Sequence, residues 1–138
     1  IRDSQYITIA TAGNAADFGD LTANRAKFSG CSDSTRGLFM GGAAETAGLD
    51  NLNNNIQYIT LDTTGNAADF GDLTSGSQGS GACSDNTYGC QFGGYGAGYS
   101  MVNSIDRCTI QTLGNSADHG DLTDSRGLYT QGASGNAS

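Results

Sequence analysis

The chain has no proline and no tryptophan, one lysine (Lys27), one glutamate (Glu45) and one histidine (His119). A lone histidine excludes a histidine-based catalytic triad or a two-histidine metal site within one chain. The strong helix formers Lys and Glu are nearly absent, and Gly, Asn, Ser and Thr dominate, which argues against helices. Charged residues make up 14 %, with 6 Lys plus Arg against 14 Asp plus Glu and a net charge of -8. That balance excludes a cationic nucleic-acid groove and leaves no polybasic patch for an anionic membrane. No apolar run approaches the ~18 residues of a membrane-spanning helix, so no membrane insertion is expected and the chain reads as soluble. No basic-then-apolar leader is visible. The chain begins with Ile1, which reads as a processed product or a piece of something longer. No Cys-x-x-Cys spacing occurs, so zinc is disfavoured.

What is present is glycine, 22 residues, without the period of three that collagen needs, and a repeat. Gly13-Asn14-Ala15-Ala16-Asp17-Phe18-Gly19-Asp20-Leu21-Thr22 recurs identically from Gly65 to Thr74. It returns from Gly114 with Ser116 and His119 as its two changes. The first interval is 52 residues (13 to 65) and the second 49 (65 to 114). Tyr6-Ile7-Thr8-Ile9 matches Tyr58-Ile59-Thr60-Leu61 and Arg107-Cys108-Thr109-Ile110, and residues 30–42 match 82–94. The repeats span about 1–52, 53–102 and 103–138, the last truncated.

Period-2 alternation over residues 6–9 and 58–61 predicts strands. Residues 26–32 and 35–40 predict two more, joined by a hairpin at 32–35. Gly-Asn-Ala-Ala-Asp reads as turn chemistry, Phe18 and Phe70 as apolar anchors, and Gly41-Gly42 as a sharp strand end. Each repeat of about 50 residues therefore carries three or four short antiparallel strands, and the fold class is all-β, with blades of four-stranded antiparallel sheet.

The order Arg25, Gly41-Gly42, Asn55-Ile56-Gln57-Tyr58, then Phe70 resembles a kelch repeat, with Phe where that family usually has Trp. The wording of the ten-residue motif with Cys31-Ser32-Asp33-Ser34-Thr35-Arg36-Gly37-Leu38-Phe39-Met40-Gly41-Gly42 resembles repeats of marine bacteriophage tail-fibre and other virion proteins. The resemblance implies a kelch-like β-propeller in a virion tail appendage, facing outward, and no enzyme. In the second repeat Ser77 and Ser80 replace Arg25 and Phe28, so its first strand is expected to pack loosely, whereas the third keeps Arg126 and Tyr129. Fewer than three repeats cannot close a propeller of about four to eight blades. The chain is then one part of a longer propeller, or several copies complete a ring or fibre.

Three groups of residues are candidates for chemistry. Asp17 and Asp20, Asp69 and Asp72, and Asp118 and Asp121 recur in every repeat and could hold Ca²⁺. Without the full calcium-loop pattern they read first as turn caps. Otherwise no cofactor is expected. His119 takes the position of Phe18 and Phe70 and reads as a partly buried ring. Cys31, Cys83, Cys90 and Cys108 fall at strand positions and read as free buried thiols, although Cys83 and Cys90 flank a hairpin and could bridge. The loops after the Gly pairs, 43–54 and 95–102, vary while the scaffold repeats, as binding loops do. There Asp50, Asn51, Asn53, Tyr95 and Tyr99 could meet a sugar by stacking and hydrogen bonds.

These readings predict a non-catalytic structural or receptor-binding module whose partners are other virion proteins, copies of itself, or a host-surface glycan or protein. The alternative is an extracellular adhesion or interaction propeller of a cell. A sugar-acting propeller enzyme would have to draw its acid, base or metal from blades outside this chain.

Overall fold

The computed structural model describes residues 2–44 and 51–127. Ten strands run in chain order: β1 (Asp3–Tyr6), β2 (Ala16–Asp20), β3 (Ser29–Ser32), β4 (Arg36–Met40), β5 (Asn55–Thr60), β6 (Ala68–Asp72), β7 (Gly81–Ser84), β8 (Tyr88–Phe92), β9 (Ser104–Thr109) and β10 (Ala117–Asp121). Among the described residues there is no α-helix, only a 3-10 turn at Ala97–Tyr99. All pairings are antiparallel. β1 pairs with β2, β3-β4-β5-β6 form one four-stranded meander, and β7-β8-β9-β10 form a second. Sheets and sequence repeats are out of phase: each four-stranded sheet takes two strands from one repeat and two from the next.

Tyr58-Ile59-Thr60 closes β5 because branched and aromatic side chains fit a pleated surface, whereas β1 ends at Tyr6 and the expected strand over residues 6–9 does not form. Each hairpin between a sheet's first two strands is closed by an aspartate. Asp33 Oδ1 accepts from the Thr35 and Arg36 N–H groups, both at 2.7 Å, and Asp85 Oδ1 from Thr87 and Tyr88 at 3.0 and 2.7 Å. Gly41 and Gly42 end β4 at φ of 67 and 95°, the sharp turn their sequence predicts.

Residues 16–17 of the repeated motif are strand, not turn. The register of β1 with β2 skips Phe18, that of β5 with β6 skips Phe70, and that of β9 with β10 skips His119. Each outer strand thus carries a bulge, and the extra residue is re-aimed off the pleat. Phe18 and Phe70 are buried there. His119 is exposed, contrary to the partly buried ring expected, because among the described residues no further module follows to cover it.

The main core lies between the two four-stranded sheets. Leu38, Met40, Ile56, Phe70 and Leu73 of the first pack with Cys108 and Ile110 of the second, and β3 lies against β7. Polar joints accompany it: Ser84 Oγ donates to the Ser32 carbonyl at 2.6 Å, and Arg36 Nη1 to the Ile110 carbonyl at 3.1 Å. The second sheet's first strand is not loosely packed. Where the first sheet sets Phe28 against Phe39 edge-to-face at 5.5 Å, the second has Gln91 Nε2 donating to Ser77 Oγ at 2.8 Å and Ser80 Oγ at 2.6 Å. An apolar pair has been exchanged for a satisfied polar one.

Candidate functional site

The repeated motif joins consecutive modules through their backbones. The Gly65 and Ala67 N–H groups donate to the Phe18 and Asp20 carbonyls at 2.7 and 2.8 Å, while Asn66 Oδ1 accepts from the Asp20 N–H at 3.0 Å. One repeat later the Gly114 and Ser116 N–H groups donate to Phe70 and Asp72 at 2.9 and 2.8 Å, and Asn115 Oδ1 accepts from Asp72 at 3.0 Å. Gly-Asn-Ala is therefore the plug and Phe-Gly-Asp the socket of one joint. The glycine in the socket is required twice over. Gly19 and Gly71 have φ of 144 and 151°, and a Cβ on either would overlap the carbonyl of Gly65 or Gly114.

The aspartate pairs sit on β2, β6 and β10. Asp17, Asp69 and Asp118 are exposed; Asp20 and Asp72 are half-buried and Asp121 is exposed. Asp20 meets Arg2 at 3.5 Å, Asp69 accepts from Asn55 Nδ2, and Asp118 Oδ1 accepts from the Gly120 N–H at 3.1 Å. Among the described residues no three His, Cys, Asp or Glu side chains gather as metal ligands. The carboxylate that does most is one the sequence reading passed over. Asp106 is buried and accepts from Thr74 N–H and Oγ1, both at 2.7 Å, and from Ser116 Oγ at 2.9 Å. The first joint uses Gln57 at the same place, its Oε1 accepting from the Thr22 N–H at 2.9 Å. The recurrence of Gln5, Gln57 and Asp106 before the motif was the available signal.

Both variable loops leave the same end of their sheets, after the Gly pair. In the first, Asn53 is spent on the scaffold, its Oδ1 accepting from the Asn55 N–H at 2.7 Å, and the Asn51 carbonyl accepts from Ala44. Asp50 lies outside the described residues. In the second, Tyr95 exchanges two backbone hydrogen bonds with Gln78, at 3.1 and 2.8 Å. Gly98 and Tyr99 both take the left-handed region, at φ of 67 and 59°. That conformation costs a tyrosine about 1–2 kcal/mol, and it sets the Tyr99 ring 5.5 Å from that of Tyr95, tilted by 58°. Neither ring is fully buried. The Gln78 side chain, which the sequence reading did not single out, is buried, and neither end of its amide meets a hydrogen-bond partner. This loop concentrates backbone strain and two adjacent aromatic rings in one place, and the segment it pairs with carries a buried unsatisfied amide, features that functional sites carry.

All four cysteines are free thiols. Cys83 and Cys90 stand opposite each other in the register of β7 and β8. Burial, with the neighbouring thiols adding to it, pushes Cys31 up to about 12. Burial likewise pushes Cys108 up to about 11 and raises Cys90. These thiols stay protonated at neutral pH and are poor nucleophiles.

No protein-family model matches the chain, and no curated protein matches it.

Proposed function

We propose that the chain is a non-catalytic structural and receptor-binding module of a bacteriophage tail appendage, built as part of a kelch-like β-propeller. The four-stranded meander that ends its second strand in a Gly pair and stacks on its neighbour supports the propeller. The motif wording supports the virion. The observation that carries binding is the 95–102 loop, where Tyr99 is held in a strained conformation beside Tyr95. Two adjacent, partly exposed tyrosine rings with their hydroxyls suit the apolar face and hydroxyls of a sugar ring, so a host-surface glycan is the proposed ligand.

The test is binding of the full chain to polysaccharide extracted from host cells, measured by calorimetry. Wild type binds, and Tyr95→Ala and Tyr99→Ala each weaken binding about tenfold, as loss of an aromatic anchor does, while both variants keep their β-sheet circular dichroism. Absence of binding by wild type, or unchanged binding by both folded variants, removes the glycan reading.

A further inference from the structure

Of the four thiols, one pair is placed to react with each other. Cys83 on β7 and Cys90 on β8 stand directly opposite in register. Directly opposed residues of antiparallel strands point to the same face, and their Cα atoms lie about 4.5–5.5 Å apart. A disulfide spans Cα distances of about 4.4–6.8 Å, so the pair meets the backbone requirement as it stands. After burial, the Cys83 thiol is the next largest influence raising Cys90, as neighbouring sulfurs require.

The other two thiols are turned elsewhere. A Cβ on Gly89 would meet Cys31 Sγ, a Leu38 methyl and the Ile110 side chain, so the Gly89 side of β8 faces the layer between the sheets. Cys108 is opposite Gly89 and belongs to that layer, and Cys31 Sγ lies there 4.0 Å from Met40 Sδ. Cys90, the next residue along β8, points to the opposite face, and Cys83 with it. The backbone of the second sheet therefore separates the Cys83 and Cys90 pair from Cys31 and Cys108. The first sheet has no such pair: Cys31 is opposite Leu38, at the positions that Cys83 and Cys90 take one repeat later.

We infer that Cys83 and Cys90 close into a disulfide in an oxidising environment, a reversible staple across β7 and β8. One thiol, as its thiolate, attacks a sulfur of a small disulfide oxidant such as glutathione disulfide and expels one glutathione thiolate. The second, also deprotonated, attacks the mixed disulfide at the protein sulfur and expels the other. The protein loses two protons and two electrons, and one glutathione disulfide is reduced to two thiols. A reducing cytoplasm keeps the pair open and an extracellular medium lets it close. Through Gly93 and Gly94, β8 leads into the 95–102 loop, so the staple holds one root of that loop. The inference rests on strand register and not on the ligand reading. Its failure would leave glycan binding by the loop untouched, and the reverse also holds.

The experiment oxidises the full chain with glutathione disulfide at about pH 8.5, where thiolate is available, both folded and during refolding from urea. Remaining thiols are alkylated in denaturant. The products are digested with chymotrypsin, which cuts between the two cysteines at Tyr88, and mapped by mass spectrometry. Wild type gives one internal link, Cys83 to Cys90, with Cys31 and Cys108 alkylated. The oxidised chain melts about 5 °C higher than the reduced one, and dithiothreitol reverses the shift. Cys83→Ser and Cys90→Ser each give no internal link and no oxidant-dependent shift, while keeping the β-sheet circular dichroism of wild type. The wild-type map decides the matter by itself if either variant fails to fold. Four alkylated thiols after both treatments, a glutathione adduct that never resolves, or a link through Cys31 or Cys108 overturns the inference. So does a link between Cys83 and Cys90 that leaves the melting temperature unchanged, since a staple must stabilise.

Discussion

Gly71 and Gly120 occupy the same place in the repeat and differ only in what lies beyond them. Both are in the left-handed half of conformational space, at φ of 151 and 129°. At Gly71 the space a side chain needs is filled by the Gly114 backbone, whereas at Gly120 it is empty. An alanine at 120 meets only backbone strain, about 1–2 kcal/mol. At 71 the same strain is joined by a clash with a carbonyl that two hydrogen bonds hold in position, so Gly71→Ala destabilises by about 3–5 kcal/mol. Urea unfolding of the two variants separates the terms. Equal losses would mean that conformation alone fixes these glycines and that the joint is slack. The exchange of Phe28 and Phe39 for Ser80 and Gln91 makes a related point: a residue's worth in a repeat depends on its partner. Reading Ser80 alone predicts loose packing, because the Gln91 that satisfies it lies eleven positions away, and only strand pairing brings the two together.

Among the elements, the hairpin turns are the most sensitive to acid. Burial would raise the Asp33 carboxyl. The hydrogen bonds from Gln111, the Arg36 and Thr35 N–H groups and the Thr35 hydroxyl outweigh it and hold the group below its usual 3.8. Asp85 is lowered by the Tyr88 and Thr87 N–H groups. Groups lowered on folding stabilise the fold above their unfolded value and lose that contribution as pH falls through the folded one. Unfolding free energy should therefore hold down to about pH 4 and decline below it. Asp33→Asn should blunt the decline, because the Gln111 amide reaches Asp33 from the next module. Identical acid profiles for wild type and variant would show that Asp33 plays no part. The hairpin read at 32–35 falls at 33–36, and the one read between Cys83 and Cys90 at 85–88, each closed by an aspartate, so both turns were legible in the sequence. The all-β class and the strand at Tyr58 were legible too, from alternation. The outer strands were not: Asp and Gly are poor strand formers, and the bulge at Phe18 breaks the period of two that identifies a strand. Residues 6–9 were read as strand although β1 ends at Tyr6. The joint stayed hidden because its bonds are made almost wholly by backbone, so sequence displays the motif's identity without its purpose. Of the candidate site, the variable loop and its tyrosines could be read, but the left-handed Tyr99 and the buried Gln78 required coordinates.

At the scale of the whole molecule, stability resides between sheets rather than within them. Each sheet is too thin to bury both faces, and the cluster of Leu38, Met40, Ile56, Phe70, Leu73, Cys108 and Ile110 forms only when two modules stack. Such arrays gain their cohesion from nearest-neighbour interfaces, so a perturbation placed in that layer is felt by both modules. Cys108 is part of the layer and Cys31, on β3, packs against it. Burial raises both from 9.0, Cys31 to about 12 and Cys108 to about 11. A group raised on folding gives a contribution that is fully present below its unfolded value and is lost as pH climbs through the folded one. Stability should be level near neutrality, begin to fall at about pH 9, and continue falling toward about 12, where Cys31 ionises within the fold. Because the thiols lie in the layer between sheets, secondary-structure and tyrosine-fluorescence signals should be lost together. The comparison that isolates the thiols is Cys31→Ala/Cys108→Ala against wild type. The double variant starts less stable, having lost two packed sulfurs, and then declines less steeply with pH. Parallel declines would place the alkaline sensitivity elsewhere and leave the layer between the sheets without its proposed role in holding the two modules as one unit.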